Sequence, residues 1–352
     1  MLKVGIDEFL SLSKNYPVLD VRSPGEYHHA HIPGAYNLPL FSDEERKVVG
    51  TAYKQESRES AIKIGLDYFG VKMRKMVEEA DEINHKYTSK NILVHCWRGG
   101  MRSAGVAWLL DLYGYKVYTL TGGYKSFKKW ALEQFDLPYQ FNVLGGYTGS
   151  GKTEVLKQLS NENNLVINLE AIACHKGSAF GALGEQKQPT QEMFENVLAM
   201  TLYSVNRAQM QTVWIEDESQ RIGSVNIPGT LFKTMRESTL YFLEISFEQR
   251  LNYITKTYGK FKKEELVAAI MRIQKRLGGL NTKNAINYLL EDDYKESFRI
   301  LLAYYDKYYK RDLDARNNNA NLLLNVPSEH IDAKIISKKL TDKKIAINGI
   351  ND

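Results

Sequence analysis

Two stretches of this 352-residue chain carry residue types able to do chemistry. In the first, residues 91–103 (Asn-Ile-Leu-Val-His-Cys-Trp-Arg-Gly-Gly-Met-Arg-Ser), an apolar run delivers Cys96 into a glycine-rich turn that leads into a second apolar run. The N–H groups of such a turn, where it opens a helix, converge on the sulfur and favour an anion there. Arg98 and Arg102 add positive charge. The pattern therefore predicts a thiol of lowered pKa, a nucleophile able to hold a negatively charged adduct. The competing reading is an inert buried cysteine, a type that rarely occupies a Gly-Gly turn between arginines.

The second stretch, Gly146-Tyr147-Thr148-Gly149-Ser150-Gly151-Lys152-Thr153, satisfies the full P-loop pattern. Gly146, Gly149 and Gly151 permit close approach of backbone N–H groups to phosphates, Lys152 neutralises the terminal phosphate, and Thr153 can ligate Mg²⁺. A phosphate or pyrophosphate ligand follows, and the pattern does not specify ATP. Downstream, an apolar run at 212–215 ends in Glu216-Asp217-Glu218. The end of a buried strand is where a P-loop fold places the acid that holds the Mg²⁺ water shell. Asp217 is preferred over Glu216 for that role, against the alternative of a charged loop. Residues 173–181 (Ala-Cys-His-Lys-Gly-Ser-Ala-Phe-Gly) form a compact polar turn expected to contact substrate. Neighbours on a chain seldom face each other, which argues against Cys174 and His175 as a catalytic pair.

These residues need elements to position them. Residues 92–94 read as a short buried strand, and 104–112 have the apolar spacing of a helix. Upstream, 17–22 is a β-rich run, turns follow at 23–26 and 31–35, 43–53 is polar and helix-compatible, and helices fill 57–83. Downstream, a strand at 116–120 closes at Gly122-Gly123 before a helix carrying Phe127 and Trp130. Strand and helix alternate, which predicts a parallel α/β sheet. Beyond a linker at 135–138, a strand at 139–144 enters the P-loop, and further strands are expected at 165–169 and 212–215. Past Phe247 the chain reads as mainly helical, at 264–276 and 288–309, divided at Gly278-Gly279. Tyr304, Tyr305, Tyr308 and Tyr309 are expected to pack into a core rather than stack on bases. The tail from Ser328 is expected to form no more than one short element.

The length predicts two domains, each able to bury its own core. With 43% hydrophobic and 25% charged residues, and no apolar run near the ~18 residues of a membrane span, the chain reads as an ordinary globular protein with no membrane partner. Two cysteines, Cys96 and Cys174, are too few for a disulfide framework or a four-thiolate zinc site. A reducing compartment suits a working thiol. The first twelve residues carry acids and no small-residue cleavage site, so the cytoplasm is the expected location. Net charge is +5, with basic residues gathered at 250–263, 272–283, 307–316 and 334–344. That distribution suits a phosphate backbone as well as it suits solvated helix faces.

Asp20-Val21-Arg22-Ser23-Pro24-Gly25-Glu26-Tyr27, His31-Ile32-Pro33-Gly34-Ala35, the Cys96 loop and Gly122-Gly123 fall in rhodanese order, so residues 1–137 resemble a rhodanese-like domain. The resemblance implies a cysteine that carries sulfur or selenium, with Asp20 and Arg22 tying loops together. Five residues separate Cys96 from Arg102, the spacing also of cysteine-dependent phosphatases, and a loop of that length admits a tetrahedral, phosphate-like group. Fused to a P-loop NTPase-like α/β domain at 139–352 with a helical C-terminal region, the whole is similar to the tRNA 2-selenouridine synthase family. That likeness is carried by residues 41–46, 49–55, 96–103, 122–125, 173–181 and 216–223. It implies that a wobble 2-thiouridine of tRNA is geranylated from geranyl diphosphate and that selenium from selenophosphate then displaces the S-geranyl group. It also implies Mg²⁺, no permanent cofactor, a helical region that binds tRNA, and an enzyme supplying selenophosphate as a possible partner. Gly65 matches a glycine the family associates with geranylation. Two other functions compete: a cysteine phosphatase, which needs a general-acid aspartate that the sequence does not single out, and a regulatory module, which would lack the nucleophile.

Overall fold

The computed structural model describes residues 1–206, 212–316 and 323–348. They form two compact units, Met1–Phe135 with Glu192–Met200, and Asp136–Gln191 with Thr201–Asp352. The first boundary falls inside the expected linker. The excursion of 192–200 into the first unit was not legible in the sequence.

In the first unit the elements run β1 (Leu2–Val4), α1 (Ile6–Leu12), β2 (Val18–Asp20), α2 (Pro24–His29), β3 (Tyr36–Asn37), α3 (Asp43–Gln55), α4 (Arg58–Asn84), β4 (Asn91–His95), α5 (Met101–Tyr113), β5 (Lys116–Leu120) and α6 (Gly123–Glu133). Helical crossovers make every pairing parallel, and the strand order is β1-β5-β4-β2-β3. Both faces of such a sheet are covered, which is why β4 reads as an unbroken apolar run. Leu19, Phe69, Ile92, Val94, Val106 and Leu110 form its core. Capping sets two of the helices: Ser23 with Glu26 opens α2, and Ser42 with Glu45 opens α3.

In the second unit come β6 (Phe141–Gly146), α7 (Lys152–Asn161), β7 (Val166–Ile167), α8 (Leu169–Ala173), the ends of α9 (Gln191–Asn206), whose residues 192–200 belong to the first unit, β8 (Val213–Glu216), β9 (Arg221–Ile222), β10 (Val225–Asn226), α10 (Gly229–Arg236), β11 (Thr239–Glu244), α11 (Phe247–Tyr258), α12 (Lys263–Leu277), α13 (Gly279–Leu290), α14 (Tyr294–Arg316), β12 (Leu323–Pro327) and α15 (Ala333–Asn348). The parallel sheet has the order β12-β11-β6-β8-β7, so β6 lies beside β8 with Leu144 opposite Glu216. The helices α11 to α14 enclose a separate core around Leu266, Ile270, Leu289, Phe298 and Leu302.

Several expectations need correction. The strand expected at 165–169 is only Val166–Ile167, because Asn168 caps α8 by accepting the Ala171 N–H at 2.7 Å. The run at 288–309 is two helices, broken at Asp292, whose φ is 64°. The tail holds the long helix α15, and its Ile336 and Leu340 are fully buried beside Val326 of the unexpected edge strand β12. Among the described residues, no helix is long and apolar enough to cross a membrane. The side chains of Arg316, Lys343 and Lys344, counted in the basic clusters, lie outside the described residues.

Candidate active sites: a cysteine loop and a phosphate cradle

Cys96 follows the central strand β4 at the C-terminal edge of the first sheet, where open parallel sheets bind ligands. Its loop rests on the Gly122-Gly123 turn. Tyr124 N–H donates to the Cys96 carbonyl at 2.8 Å and Lys125 N–H to that of Trp97 at 3.0 Å. Gly123 has φ +60°, and a Cβ there would stand 2.3 Å from the Cys96 oxygen, so only glycine fits. The two glycine motifs are thus two halves of one turn-on-turn contact.

The sulfur is buried, 3.2 Å from Ser103 Oγ, which also donates to the Gly100 carbonyl at 3.1 Å. Burial pushes the Cys96 thiol up, but the Ser103 hydroxyl and N–H, the Arg102 charge and the Gly100 N–H together pull it below its ordinary value. Arg102 is aimed by Glu26 at 2.7 Å, a carboxylate that also faces Arg46 at 3.6 Å. Of the two expected arginines, Arg102 is among the charges that pull the thiol down, and the Arg98 side chain is exposed. Ser103 was missed in the sequence, although a hydroxyl one residue after the arginine was visible there.

Beneath the loop, Arg22 and Asp20 are both fully buried and share a forked contact at 2.6 Å. Arg22 also donates to the Ala30 carbonyl at 2.8 Å and lies 3.8 Å over the Tyr124 ring, so it ties β2, the 30–31 turn and the glycine turn together. The Tyr124 hydroxyl reaches Glu192 at 2.8 Å and accepts from Asn196 at 2.7 Å. Gly65 lies buried in α4 with its Cα facing Phe41, whose ring would be 3.3 Å from an added Cβ.

In the second unit, β6 delivers Gly146, Gly149 and Gly151, each at positive φ, into a loop that opens α7. Neighbours press on the loop from outside: a Cβ at Gly149 would meet Ile254 at 2.7 Å, and one at Gly151 would meet Ile331 at 2.5 Å. Lys152 Nζ donates to the Gly146 carbonyl at 3.0 Å. The loop, Lys152 and Thr153 line a cavity of about 190 Å³, closed on other sides by Lys176, Ser178, Glu170, Glu218, Tyr253, Tyr258 and Tyr309. The 173–181 turn therefore does form one wall. Beside the cavity lies a separate apolar slot of only about 30 Å³, between Phe180, Ile254, Phe298 and Leu302.

The acids differ from expectation. Asp217 pairs with Arg236 at 3.5 Å and is not among the residues lining the cavity. Glu170 accepts the Thr153 hydroxyl at 3.1 Å, and Glu216 accepts the Glu170 N–H at 3.2 Å while its other oxygen, buried, has no partner. Burial and the neighbouring Glu170 push Glu216 up to about 8 and, with Glu216 itself, raise Glu218 well above its usual value. Three carboxyls crowded into one buried place resist ionising, a conflict a divalent cation would relieve. Among the described residues, no group of three His, Cys, Asp or Glu is arranged to hold a metal alone. Mg²⁺ in P-loop sites takes one or two protein oxygens and completes its shell with phosphate and water, so Thr153 with Glu170 or Glu218, acids that line the cavity, fits it.

The fold and the two sites define a class: a rhodanese-like domain with an activated cysteine, joined to a P-loop domain with an acid-lined phosphate cradle. Residues 139–333 match the model of the tRNA 2-selenouridine synthase AAA domain, and 6–129 that of the rhodanese-like domain. A tRNA 2-selenouridine synthase of Hydrogenovibrio crunogenus is 35% identical over 328 residues, 84% of this chain and 89% of that protein. One from a Sulfurovum species is 34% identical over 354 residues, 91% and 94% of the two chains. The chain belongs to the tRNA 2-selenouridine synthase family. Among solved structures, the N-terminal domain of a Clostridium difficile 630 protein described as ATP/GTP-binding is 39% identical, covering 37% of this chain and 98% of that one at a TM-score of 0.34. A yeast protein tyrosine phosphatase of the rhodanese family is 16% identical, covering 36% and 85%, with a TM-score of 0.24.

Proposed function

We propose that this chain is a cytoplasmic enzyme that converts the wobble 2-thiouridine of tRNA to 2-selenouridine through an S-geranyl intermediate, using geranyl diphosphate and selenophosphate. The observation that carries the reading is the pairing, within one chain of this family, of a thiolate-stabilising anion loop with a diphosphate-sized cradle.

In the first reaction the thiocarbonyl sulfur attacks C1 of geranyl diphosphate, the C–O bond breaks and diphosphate departs. The N–H groups of the P-loop and Lys152 receive the charge that develops on the leaving group. Bound Mg²⁺ would neutralise the rest of that charge. Alkylation turns a poor leaving group at C2 into a better one.

The second reaction is redox-neutral, because selenium in selenophosphate already stands at the level of selenide and the bond to break is P–Se. The Cys96 thiolate displaces selenide from phosphorus, leaving an S-phosphocysteine that water hydrolyses; selenide adds at C2 and geranylthiolate leaves. With the selenophosphate proton carried on selenium, the leaving group is hydrogen selenide, a weak base that departs without a general acid. This answers the missing aspartate that counts against an ordinary phosphatase: Glu26 is committed to Arg102 and Asp20 to Arg22. The five-residue loop between Cys96 and Arg102 suits the tetrahedral group.

The test is stepwise addition. Geranyl diphosphate alone should give S-geranylated tRNA, and selenophosphate added next should give selenouridine, both read as nucleosides by mass spectrometry. Absence of any new nucleoside would refute the reading.

A further inference from the structure

A second cavity, of about 510 Å³, lies on the helical region away from the cradle and is lined by Arg276, Arg299, Tyr304, Lys307, Tyr308 and Arg311 among others. Its floor follows from the sequence of α14. Residues 299, 303, 307 and 311 recur every four positions on one helix face, and residues 300, 304 and 308 form the adjoining row. At the centre of the first row stands Ala303, so the long cations Arg299 and Lys307 border a gap instead of filling it. Tyr304 and Tyr308, ring centroids 4.9 Å apart, make the second row a wall, and Tyr308 is 43% exposed. The opposite rim is the end of α12, with Arg276, and the start of α13, with Asn281. There the Gly278-Gly279 break leaves the first N–H groups of α13 without a side-chain cap. Among the described residues, no Asp or Glu lines the cavity. Arg299 is held in place from outside it by Glu248 and Glu296.

We infer that this cavity binds an unpaired nucleotide segment of RNA, with phosphates on Lys307, Arg311 and Arg276 and a base stacked against the exposed Tyr308 ring. The inference rests on the reading of the chain as an enzyme of tRNA and assigns the place where RNA is gripped. A groove of cations without carboxylates attracts phosphate in general, whereas an exposed ring beside it selects for a base free to leave its stack. Duplex RNA offers the phosphates but no free base.

Binding is measured by fluorescence anisotropy on the full chain, with a labelled anticodon stem-loop and, separately, a duplex of the same composition, over a range of salt. Lys307→Ala with Arg311→Ala should weaken both RNAs about tenfold at low salt and flatten the dependence of log K on log salt by between about one and two units. Tyr308→Leu should weaken the stem-loop about tenfold and leave the duplex unchanged. Pyrophosphate binding at the P-loop, followed by calorimetry, should stay at the wild-type level in both variants and shows that they are folded. Wild-type affinity and salt slope in the variants would overturn this assignment and leave the tRNA reading standing. Competition by uridine monophosphate as strong as that by the stem-loop would make this a free-nucleotide site and overturn it too. Failure of the wild-type chain to bind either RNA would sink the tRNA reading and this inference together.

Discussion

Ser103 decides how reactive Cys96 is. With the thiol protonated, its hydroxyl can donate to the Gly100 carbonyl; with the thiolate, the same proton can turn to the sulfur 3.2 Å away. A charge-assisted bond of that kind is about twice as strong as a neutral one. The rate of iodoacetamide alkylation of Cys96 should therefore rise with pH around a midpoint below that of an ordinary cysteine, and Ser103→Ala should move the midpoint up. An unmoved midpoint would assign the lowered pKa to Arg102 and the loop N–H groups alone. Asp20 supplies a second pH effect, on stability. Burial pushes its carboxyl up, His95 and the Arg22 fork pull it down further, and the net value lies below 3.8. Burial also lowers His95, so at neutral pH the guanidinium does the holding. A group depressed in the folded state contributes stability above its unfolded pKa and loses it as pH falls through the folded value. The melting temperature should thus fall steeply below about pH 4. Asp20→Asn should remove that acid limb and cost about 3 kcal/mol at pH 7, because it strands the buried Arg22 charge; an unchanged acid limb in the variant would exonerate Asp20.

At the scale of elements, α15 is the sharpest departure from expectation. Its sequence is rich in lysine, and among its described residues Ile336 and Leu340, a helical turn apart, are buried in the core beside Val326 and Leu159. Leu340→Ala should destabilise the protein by about 3 kcal/mol in urea unfolding; a shift under half that would mean that the helix is only loosely docked. The strands and helices around Cys96 were legible because the apolar run at 92–94 in β4 and the β-branched and aromatic residues of β5 are each followed by a glycine turn, and the P-loop because its glycines obey a strict spacing. Edge strands β1 and β12 were not, since their burial depends on a neighbour far along the chain, β5 for one and β11 for the other. The same limit hid the cradle's acids. Glu170 and Glu218 acquire meaning only when α8 and the end of β8 meet Thr153 and Gly177. Nothing local distinguishes them from Asp217, and the tyrosines that close the cavity come from α11 and α14, more than a hundred residues from Lys152 in the case of Tyr253 and Tyr309.

For the molecule as a whole, the proposed function divides between the two units: alkylation at the cradle of the second, selenium delivery at the cysteine loop of the first. Lys152 and Cys96 should then fail differently. Lys152→Ala removes the ammonium that receives the departing diphosphate, a loss of about 3 kcal/mol or a hundredfold or more in geranyl transfer. Cys96→Ala leaves the loop, its arginines and the cradle in place but takes away the nucleophile. The decisive measurement is the nucleoside profile of 2-thiouridine tRNA incubated with geranyl diphosphate, selenophosphate and each folded variant. The account predicts unmodified 2-thiouridine with Lys152→Ala and accumulated S-geranyl-2-thiouridine with Cys96→Ala. Full conversion to selenouridine by Cys96→Ala, or loss of the geranyl product from both variants alike, would contradict it.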